Sequence, residues 1–282
     1  MAIIQVNFMS NTLWRTVPIQ VILPVDKLTP DGKLPAPKKF KTLYLMHGLL
    51  GNCTDWVSGT RIQRWAEERD LAVVMPSGDN SFYVDRPASN NRYGEFIGRE
   101  LVEITRRMFP LSDRWEDTYI GGLSMGGFGA MRNGLKYRDT FSSIICLSGA
   151  LHIFEDMKKL EERKGGVDNL TYEECMFGPL PEAARTDKNP RVLIDALARE
   201  KETNPALRLP KIYMACGTED RLLRFNQLYR DHLQESGFDV TYKESPGNHN
   251  WDFWDTYIKH AIDWLPLEEL SQGVNSGNVH KK

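Results

Sequence analysis

Short apolar runs alternate along the chain with longer amphipathic stretches. Continuous apolar runs typical of strands covered on both faces occur at residues 42–46, 71–75, 117–121, 143–147 and 211–216. Apolar positions three and four apart predict helices at residues 61–68, 93–109, 130–138, 191–201, 221–236 and 250–265. Strands that alternate with helices in this way indicate a mostly parallel sheet with helices on both faces.

Three further strands show the alternation of polar and apolar residues expected of half-buried strands. They lie at residues 3–8, 14–23 and 239–244, which brings the predicted sheet to eight strands. The short Ser10-Asn11 link predicts that the first two strands form an antiparallel pair. Pro18 favours an exposed edge for the second of them, because proline cannot donate a hydrogen bond to a neighbouring strand.

A long segment separates the strands at 143–147 and 211–216. It spans about sixty residues, more than a simple crossover helix needs, and glycines and prolines break its helical patterns. We interpret residues 152–208, approximately, as a small cap inserted into one domain that covers residues 1–270. The polar stretch 271–282 is predicted to be a disordered tail.

Composition and charge are those of an ordinary globular protein. Charged residues make up 26% of the chain and the formal net charge is −2, which gives no indication of a nucleic-acid or anionic membrane partner. No signal peptide or membrane-spanning run is recognised. The four cysteines are scattered without zinc-ligand spacing, so we expect no metal site and a reduced, cytoplasmic protein.

The motif Gly122-Leu-Ser124-Met-Gly126 follows a predicted strand and precedes a predicted helix. This G-x-S-x-G pattern is typical of a nucleophile elbow, in which a sharp turn holds a serine hydroxyl above the sheet edge. An ordinary glycine-rich turn or a phosphate-binding turn would have a similar sequence. The strand–turn–helix context favours Ser124 as a catalytic nucleophile.

A serine nucleophile needs a base, and the base needs an acid that orients it. His249 directly follows the last strand, where the carboxyl ends of parallel strands gather reactive groups. Asp220 follows the strand at 211–216 and completes the chain order Ser, Asp, His. Glu219 is the alternative acid, and a plain helix cap is the alternative role for Asp220.

Two backbone N–H groups should stabilise the oxyanion that forms when the serine attacks a carbonyl. One is expected from Met125, the residue after the nucleophile. The other is expected from the glycine-bearing loop that begins at His47, where Leu49 is favoured and Leu50 is the alternative. We interpret His47 as a brace for this loop.

Five aromatic residues lie close to the predicted site in the sequence and are candidates for the walls of an acyl or aryl pocket. They are Trp56, Phe82, Tyr83, Phe128 and Trp251. Packing is the ordinary role of any one aromatic side chain, so this interpretation competes with a purely structural one.

Together these motifs resemble the tributyrin-esterase branch of the α/β-hydrolases, which is related to S-formylglutathione hydrolases, feruloyl and acetyl-xylan esterases, and mycolyltransferases. The resemblance runs from about Val6 to Leu265 and rests on motifs that keep their order: His47-Gly-Leu-Leu-Gly-Asn, Pro76-Ser-Gly-Asp-Asn-Ser-Phe-Tyr-Val-Asp85, Gly121-Gly-Leu-Ser-Met-Gly-Gly-Phe-Gly-Ala130, Leu147-Ser-Gly-Ala-Leu151, Cys216-Gly-Thr-Glu-Asp220 and Pro246-Gly-Asn-His249-Asn-Trp.

That resemblance implies an α/β-hydrolase fold, a triad of Ser124, Asp220 and His249, and oxyanion donors at Leu49 and Met125. It also implies hydrolysis of short-chain acyl esters without a cofactor. S-formylglutathione hydrolases typically carry a serine–glycine–leucine–threonine–cysteine run at the position of His47-Gly-Leu-Leu-Gly. This departure makes a glutathione thioester a less favoured substrate.

The resulting hypothesis is a serine carboxylesterase that works through an acyl-enzyme on a small-molecule ester, with feruloyl and acetyl-carbohydrate esters among the candidates. A thioesterase or an acyltransferase on the same triad is the enzymatic alternative. A binding protein that kept the fold and lost the chemistry is the alternative from another class. The acyl group and any self-association into a homo-oligomer are left open by the sequence.

Overall fold

An eight-stranded sheet forms the centre of the computed structural model, which describes residues 1–27, 32–34, 36–157, 162 and 169–268. Its strands are β1 Ala2–Ser10, β2 Arg15–Leu23, β3 Thr42–Met46, β4 Ala72–Pro76, β7 Thr118–Leu123, β8 Ser143–Leu147, β9 Lys211–Gly217 and β10 Val240–Ser245. They lie across the sheet in the order β1-β2-β4-β3-β7-β8-β9-β10. All eight predicted strands are confirmed; β3 and β8 have the predicted ends, and the ends of the other six differ by one or two residues.

The sheet is mostly parallel, because β2 alone runs opposite to the other seven strands. β1 and β2 form the predicted antiparallel pair over their full length. The prediction that Pro18 marks an edge strand is wrong, since β2 lies between β1 and β4. Proline is tolerated there because the pairing with β4 begins only at Ile19, one residue later.

Helices cover both faces of the sheet, as predicted. They are α1 Asp55–Gly59, α2 Ile62–Glu67, α3 Tyr93–Glu95, α4 Leu101–Met108, α5 Met125–Lys136, α6 Leu170–Phe177, α7 Leu180–Ala183, α8 Pro190–Thr203, α9 Leu223–Glu235 and α10 Trp251–Trp264. Side chains of α1, α2 and α10 pack on one face of the sheet. Those of α4, α5, α8 and α9 pack on the other face.

Local structure departs from the sequence prediction in two places. The predicted helix at 93–109 is divided by a π-helical turn, Phe96–Glu100, between α3 and α4. Between β4 and α3, where the apolar pattern predicts no strand, β5 Asp85–Arg86 pairs with β6 Asn91–Arg92 in a small hairpin. Strands of two residues leave no periodic signal in a sequence.

The segment between β8 and β9 contains α6, α7 and α8. Residues 158–161 and 163–168, which include Gly165-Gly166, lie outside the described residues, as does the predicted tail 271–282. The buried Arg132 on α5 reaches this segment through Asp187, whose carbonyl and carboxylate oxygens accept hydrogen bonds of 2.9 Å. The segment is therefore attached to the helix that follows the elbow. Its treatment as a cap within one domain stays a prediction.

Candidate active site

Ser124 occupies a sharp turn between β7 and α5. Its backbone adopts φ 53° and ψ −118°, a region that non-glycine residues rarely occupy. Main-chain hydrogen bonds hold this conformation: the Ser124 N–H donates to the Leu147 carbonyl, and the Ser124 carbonyl accepts from Phe128 and Ala150. The turn is thus fixed by β8 on one side and by its own helix on the other.

Glycines flank the serine because no side chain fits at either position. A Cβ atom at Gly122 would lie 2.4 Å from the Gly126 carbonyl oxygen. A Cβ atom at Gly126 would lie 2.4 Å from the Met46 carbonyl oxygen at the end of β3. Both contacts are with backbone atoms, which cannot move aside as a flexible side chain could. The spacing of the motif therefore reflects close packing of three backbone segments.

The structure brings Ser124, His249 and Asp220 together in one chain of hydrogen bonds. The His249 Nε2 atom lies 2.9 Å from the Ser124 hydroxyl oxygen. The His249 Nδ1 atom lies 2.8 Å from the Asp220 carboxylate. These residues follow β7, β9 and β10. The three strands are parallel, so their carboxyl ends lie at the same end of the sheet. With Nδ1–H donating to Asp220, Nε2 is free to accept the serine proton.

Asp220 is the most deeply buried of these three residues, with a fully buried side chain. Burial raises the pKa of its carboxyl. The hydrogen bond from His249, the charge of that imidazole and the hydrogen bond from the Leu222 N–H lower the pKa by more. The pKa of Asp220 therefore lies below its ordinary value, and the side chain stays ionised at neutral pH. An ionised acid here can both orient the imidazole and stabilise its protonated form.

The loops that carry Asp220 and His249 are built against each other. Gly217 packs on Gly247 so closely that a Cβ atom at Gly217 would lie 2.1 Å from the Gly247 carbonyl oxygen. The Glu219 N–H donates to that same carbonyl, and the exposed Glu219 carboxylate accepts from the Gly247 N–H. Glu219, the alternative acid, thus braces the histidine loop, whereas Asp220 is the residue bonded to His249.

The loop after β3 distinguishes the two candidates for the second oxyanion donor. The Leu50 N–H donates to the Asn80 side chain at 2.8 Å and is therefore occupied. Leu50 also exposes 78% of its surface and has φ 65°. No acceptor for the Leu49 N–H is found within the described part of the chain. The geometry thus favours Leu49 over Leu50.

His47 holds this loop in place through both ring nitrogens. Its Nε2 accepts from the Gly78 N–H at 2.9 Å, so Nδ1 carries the proton and donates to the Gly48 carbonyl at 2.7 Å. Burial lowers the pKa of His47, although the Gly48 carbonyl and nearby carboxylates oppose this. A neutral imidazole is required for the bond from Gly78. The Tyr83 hydroxyl adds a bond to the His47 carbonyl.

Four of the five predicted pocket aromatics are almost completely buried: Trp56, Phe82, Tyr83 and Phe128. The Trp56 indole N–H donates to the Met46 carbonyl, so this side chain has a clear packing role. Phe82 and Phe128 stack edge to face, and both contact Phe177 of α6. Trp251 is partly buried and packs on Trp56. Their role as pocket walls stays a prediction.

Trp254 is a site residue that the sequence did not reveal. Its ring meets the His249 imidazole edge to face, with centroids 4.9 Å apart, and it also packs on Trp251. This nearly buried side chain thereby packs against the imidazole. The available signal was its position one helical turn after Trp251 at the start of α10, which places both side chains beside the histidine loop.

No group of three or more His, Cys, Asp or Glu side chains suited to a metal ion occurs in the described ranges. Three cysteines, Cys53, Cys146 and Cys216, are buried and Cys175 is exposed. Burial raises the pKa of the Cys146 thiol to about 12. The helices of those same ranges include none with the length and apolar character needed to cross a membrane.

Residues 10–265 match the model of a protein family named Esterase and described as "Putative esterase". The match includes Ser124, Asp220 and His249, the three residues that the hydrogen bonds join.

The chain belongs to the Esterase family.

Individual relatives agree with this assignment. The acetyl esterase of Caldicellulosiruptor saccharolyticus is 43% identical over 268 residues, covering 94% of this chain and 98% of the relative. The S-formylglutathione hydrolase FrmB of Staphylococcus aureus is 31% identical, with a TM-score of 0.78, over 94% of this chain and 98% of the hydrolase. The fluorophosphonate-binding serine hydrolase FphF of the same organism is 30% identical, with a TM-score of 0.80 over the same shares.

These similarities confirm the predicted class. The Esterase family protein described here is a serine esterase with the α/β-hydrolase fold, and its reaction is the hydrolysis of carboxylic esters.

Proposed function

We propose that this esterase hydrolyses esters of short acyl groups, foremost acetyl esters, through an acyl-enzyme on Ser124. The observation that carries this proposal is the continuous chain of hydrogen bonds from Ser124 through His249 to the buried Asp220. Such a chain supplies the nucleophile, the base and the acid that acyl transfer from an ester requires.

In the first half of the reaction, the Ser124 hydroxyl oxygen attacks the ester carbonyl while His249 Nε2 takes its proton. The ionised Asp220 stabilises the resulting imidazolium and keeps Nδ1–H in place. His249 then gives the proton to the alcohol oxygen as the bond from the carbonyl carbon to that oxygen breaks. The acyl group remains on Ser124 as an ester.

The tetrahedral intermediate carries its negative charge on the former carbonyl oxygen. We assign the stabilising donors to the N–H groups of Leu49 and Met125. The assignment is supported by the Asn80 side chain, which occupies the N–H of Leu50. His47 and Tyr83 fix the Leu49 loop, so the donor is already positioned before substrate binds.

In the second half, water takes the place of the departed alcohol. His249 removes a proton from the water, whose oxygen attacks the acyl carbonyl, and the carboxylic acid leaves as Ser124 regains its proton. Every proton in this cycle moves between side chains of this protein, the alcohol of the ester and water. The same groups would pass the acyl chain to a sugar or a thiol if such an acceptor replaced water.

Replacing the nucleophile tests this mechanism. We expect Ser124→Ala to reduce turnover of p-nitrophenyl acetate and butyrate by about 10⁴-fold or more, because the covalent path is lost. Ser89→Ala, a change of the same type in the exposed hairpin turn, should leave turnover unchanged. A Ser124→Ala enzyme with wild-type rates would disprove the role of this serine.

We further propose that residues 1–270 act as one domain and that the segment at about 152–208 caps the site and selects the ester. This proposal is supported by Phe177 of α6, which packs on Phe82 and on Phe128 one turn after Ser124. The similarity to an acetyl esterase supports a small acyl group. Rates with p-nitrophenyl acetate, p-nitrophenyl butyrate and methyl ferulate should therefore fall in that order.

A thioester is the second candidate substrate, because a structure similar to this one is an S-formylglutathione hydrolase. The His47-Gly-Leu-Leu-Gly loop departs from the sequence typical of those enzymes and argues against it. A direct comparison of kcat/KM on S-formylglutathione and on p-nitrophenyl acetate would decide between them. We expect the acetate ester to be preferred.

A further inference from the structure

β1 forms one edge of the sheet, and its outer side has no strand partner among the described residues. On the inner side it pairs with β2 without interruption, from Ala2 opposite Leu23 to Ser10 opposite Arg15. Nine residues in regular antiparallel register leave an equally regular row of outward-pointing N–H and C=O groups. Such a row is a template for one more strand.

This edge lacks the features that normally keep exposed strands apart. Ala2–Ser10 contains no charged residue and no proline, and its register with β2 shows no bulge. The opposite edge of the sheet is different, since β10 has six residues and carries Lys243 and Glu244. The two edges of the same sheet are thus unequally protected against pairing.

The side chains of β1 divide into a core face and an outer face. Ile4, Val6 and Phe8 pack on the core, whereas the alternate residues from Ile3 to Met9 are exposed. Ile3 exposes 43% of its surface and Met9 exposes 64%. Two apolar side chains therefore stand at the ends of this outer row, with two polar amides between them.

The row is self-complementary in one antiparallel register. If two copies of β1 pair about a twofold axis at Val6, Ile3 of one copy faces Met9 of the other, since each lies three residues from Val6. The same register places Gln5 opposite Asn7. Apolar side chains then meet apolar side chains and amides meet amides, as favourable cross-strand pairs require. Twofold symmetry repeats every contact, as in most homodimers.

We propose that β1 is a homodimer interface, at which two copies of this chain pair antiparallel about Val6 and join their sheets into one. The partner is a second copy because the edge complements its own sequence in this register. Trp14, in the turn after β1, exposes 80% of its surface. The interface lies on the first strand of the sheet, whereas Ser124, Asp220 and His249 follow β7, β9 and β10.

A charge-exchange pair of variants tests the interface and its register together. Ile3→Lys combined with Met9→Lys places two lysines opposite each other at both ends of the paired strands. Ile3→Glu combined with Met9→Lys removes the same apolar groups but places opposite charges together. Both positions are exposed, so the monomer fold should tolerate either double variant.

We expect the wild type to sediment as a dimer in analytical ultracentrifugation. The double lysine variant should raise the dimer dissociation constant about tenfold or more, because like charges would face each other. The glutamate–lysine variant should form dimers more tightly than the double lysine variant. A wild type that is monomeric at every concentration, or equal dissociation constants for both variants, would overturn the proposal. Ester hydrolysis by each variant verifies folding independently of dimerisation.

A cysteine placed on the proposed axis gives a second test of register. In a Cys175→Ser background, which removes the exposed thiol, Val6→Cys should form a disulfide-linked dimer under mild oxidation. Opposite residues on paired antiparallel strands have Cβ atoms about 4.5–5.5 Å apart, close to disulfide range. Ile3→Cys is the matched control, because its partner would be Met9. Equal cross-linking of both variants, or none of either, would contradict the register.

Discussion

The triad loops and the segment between β8 and β9 are held in different ways. Main-chain hydrogen bonds and glycine contacts fix the loops that carry Ser124 and His249. The inserted segment is attached to α5 and the turn after it by side chains: Phe177 packs on Phe128, and ion pairs join Arg132 with Asp187 and Arg138 with Glu200. A glycine packed on backbone atoms cannot be replaced by a larger residue, whereas the side chains of an ion pair can be replaced by another compatible pair. Loops held through their backbones thus lie beside a segment held through its side chains.

The largest effect should follow from a change in the triad loops that leaves their backbone intact. Asp220→Asn should lower kcat on p-nitrophenyl acetate by about 10³–10⁴-fold, because the amide can no longer hold Nδ1–H and stabilise the imidazolium. Glu219→Gln is the matched control, since this neighbouring carboxylate bonds Gly247 and not His249. It should change kcat by less than about tenfold. A larger loss in Glu219→Gln would reverse the assignment of the acid.

A change in the attachment of the inserted segment should affect stability and leave chemistry largely intact. Arg132→Met should lower the free energy of unfolding by about 2–4 kcal/mol, because it breaks the ion pair of a fully buried guanidinium. The loss falls short of that for a fully buried pair, since Asp187 exposes 40% of its side chain. Urea unfolding measures the loss, and steady-state kinetics on p-nitrophenyl acetate measures kcat.

Arg138→Met is the control for this prediction, because Arg138 also pairs with a residue of the inserted segment but at a more exposed position. We expect it to cost less than about 1 kcal/mol. If Arg132→Met instead abolished kcat in a folded enzyme, the inserted segment would belong to the chemical centre and the contrast between the two regions would fail.

The smallest expected effect is on how the free energy of unfolding changes with pH. Burial raises the pKa of Asp187, but the charges of Arg132 and Lys136 outweigh burial and hold it below its ordinary value. A carboxyl with a depressed pKa in the folded state stabilises the fold above its unfolded pKa, and this stabilisation is lost as the pH falls through the folded pKa. Wild type should therefore lose more stability than Asp187→Asn between about pH 5 and pH 3.

The difference should be below about 1 kcal/mol, since solvent screens this partly exposed group. Urea unfolding of both proteins across that pH range measures it. Parallel loss of stability in the two proteins would show that other carboxyls control the acid sensitivity.

The sequence predicted those parts of the molecule whose signal is local. Buried strands show as apolar runs, and the order of Ser124, Asp220 and His249 follows from strand ends read in sequence. The sequence is less informative where contacts between distant residues decide. Pro18 suggested an edge strand because the sequence does not reveal where the pairing with β4 begins. The choice between Leu49 and Leu50 depends on Asn80, thirty residues away.

Trp254 shows a further limit of sequence reasoning. A tryptophan in an amphipathic helix is expected to pack on the core, and this one does so while it also contacts His249. Periodicity identifies the buried face of α10 but not which loop lies above its first turn. Contacts between a helix and a catalytic loop arise from tertiary packing, which a single sequence does not specify.

The close approach of Gly126 to β3 has a consequence for engineering. Because the first turn of α5 packs closely on the Met46 and His47 carbonyl oxygens, the turn that carries Ser124 and the loop that carries Leu49 are packed as one unit. A loop transplanted from another esterase after His47 would work only if it preserved the path of those two carbonyls. Exchange of specificity between relatives should therefore start from the segment between β8 and β9, and keep the β3 loop and the α5 turn from the same parent.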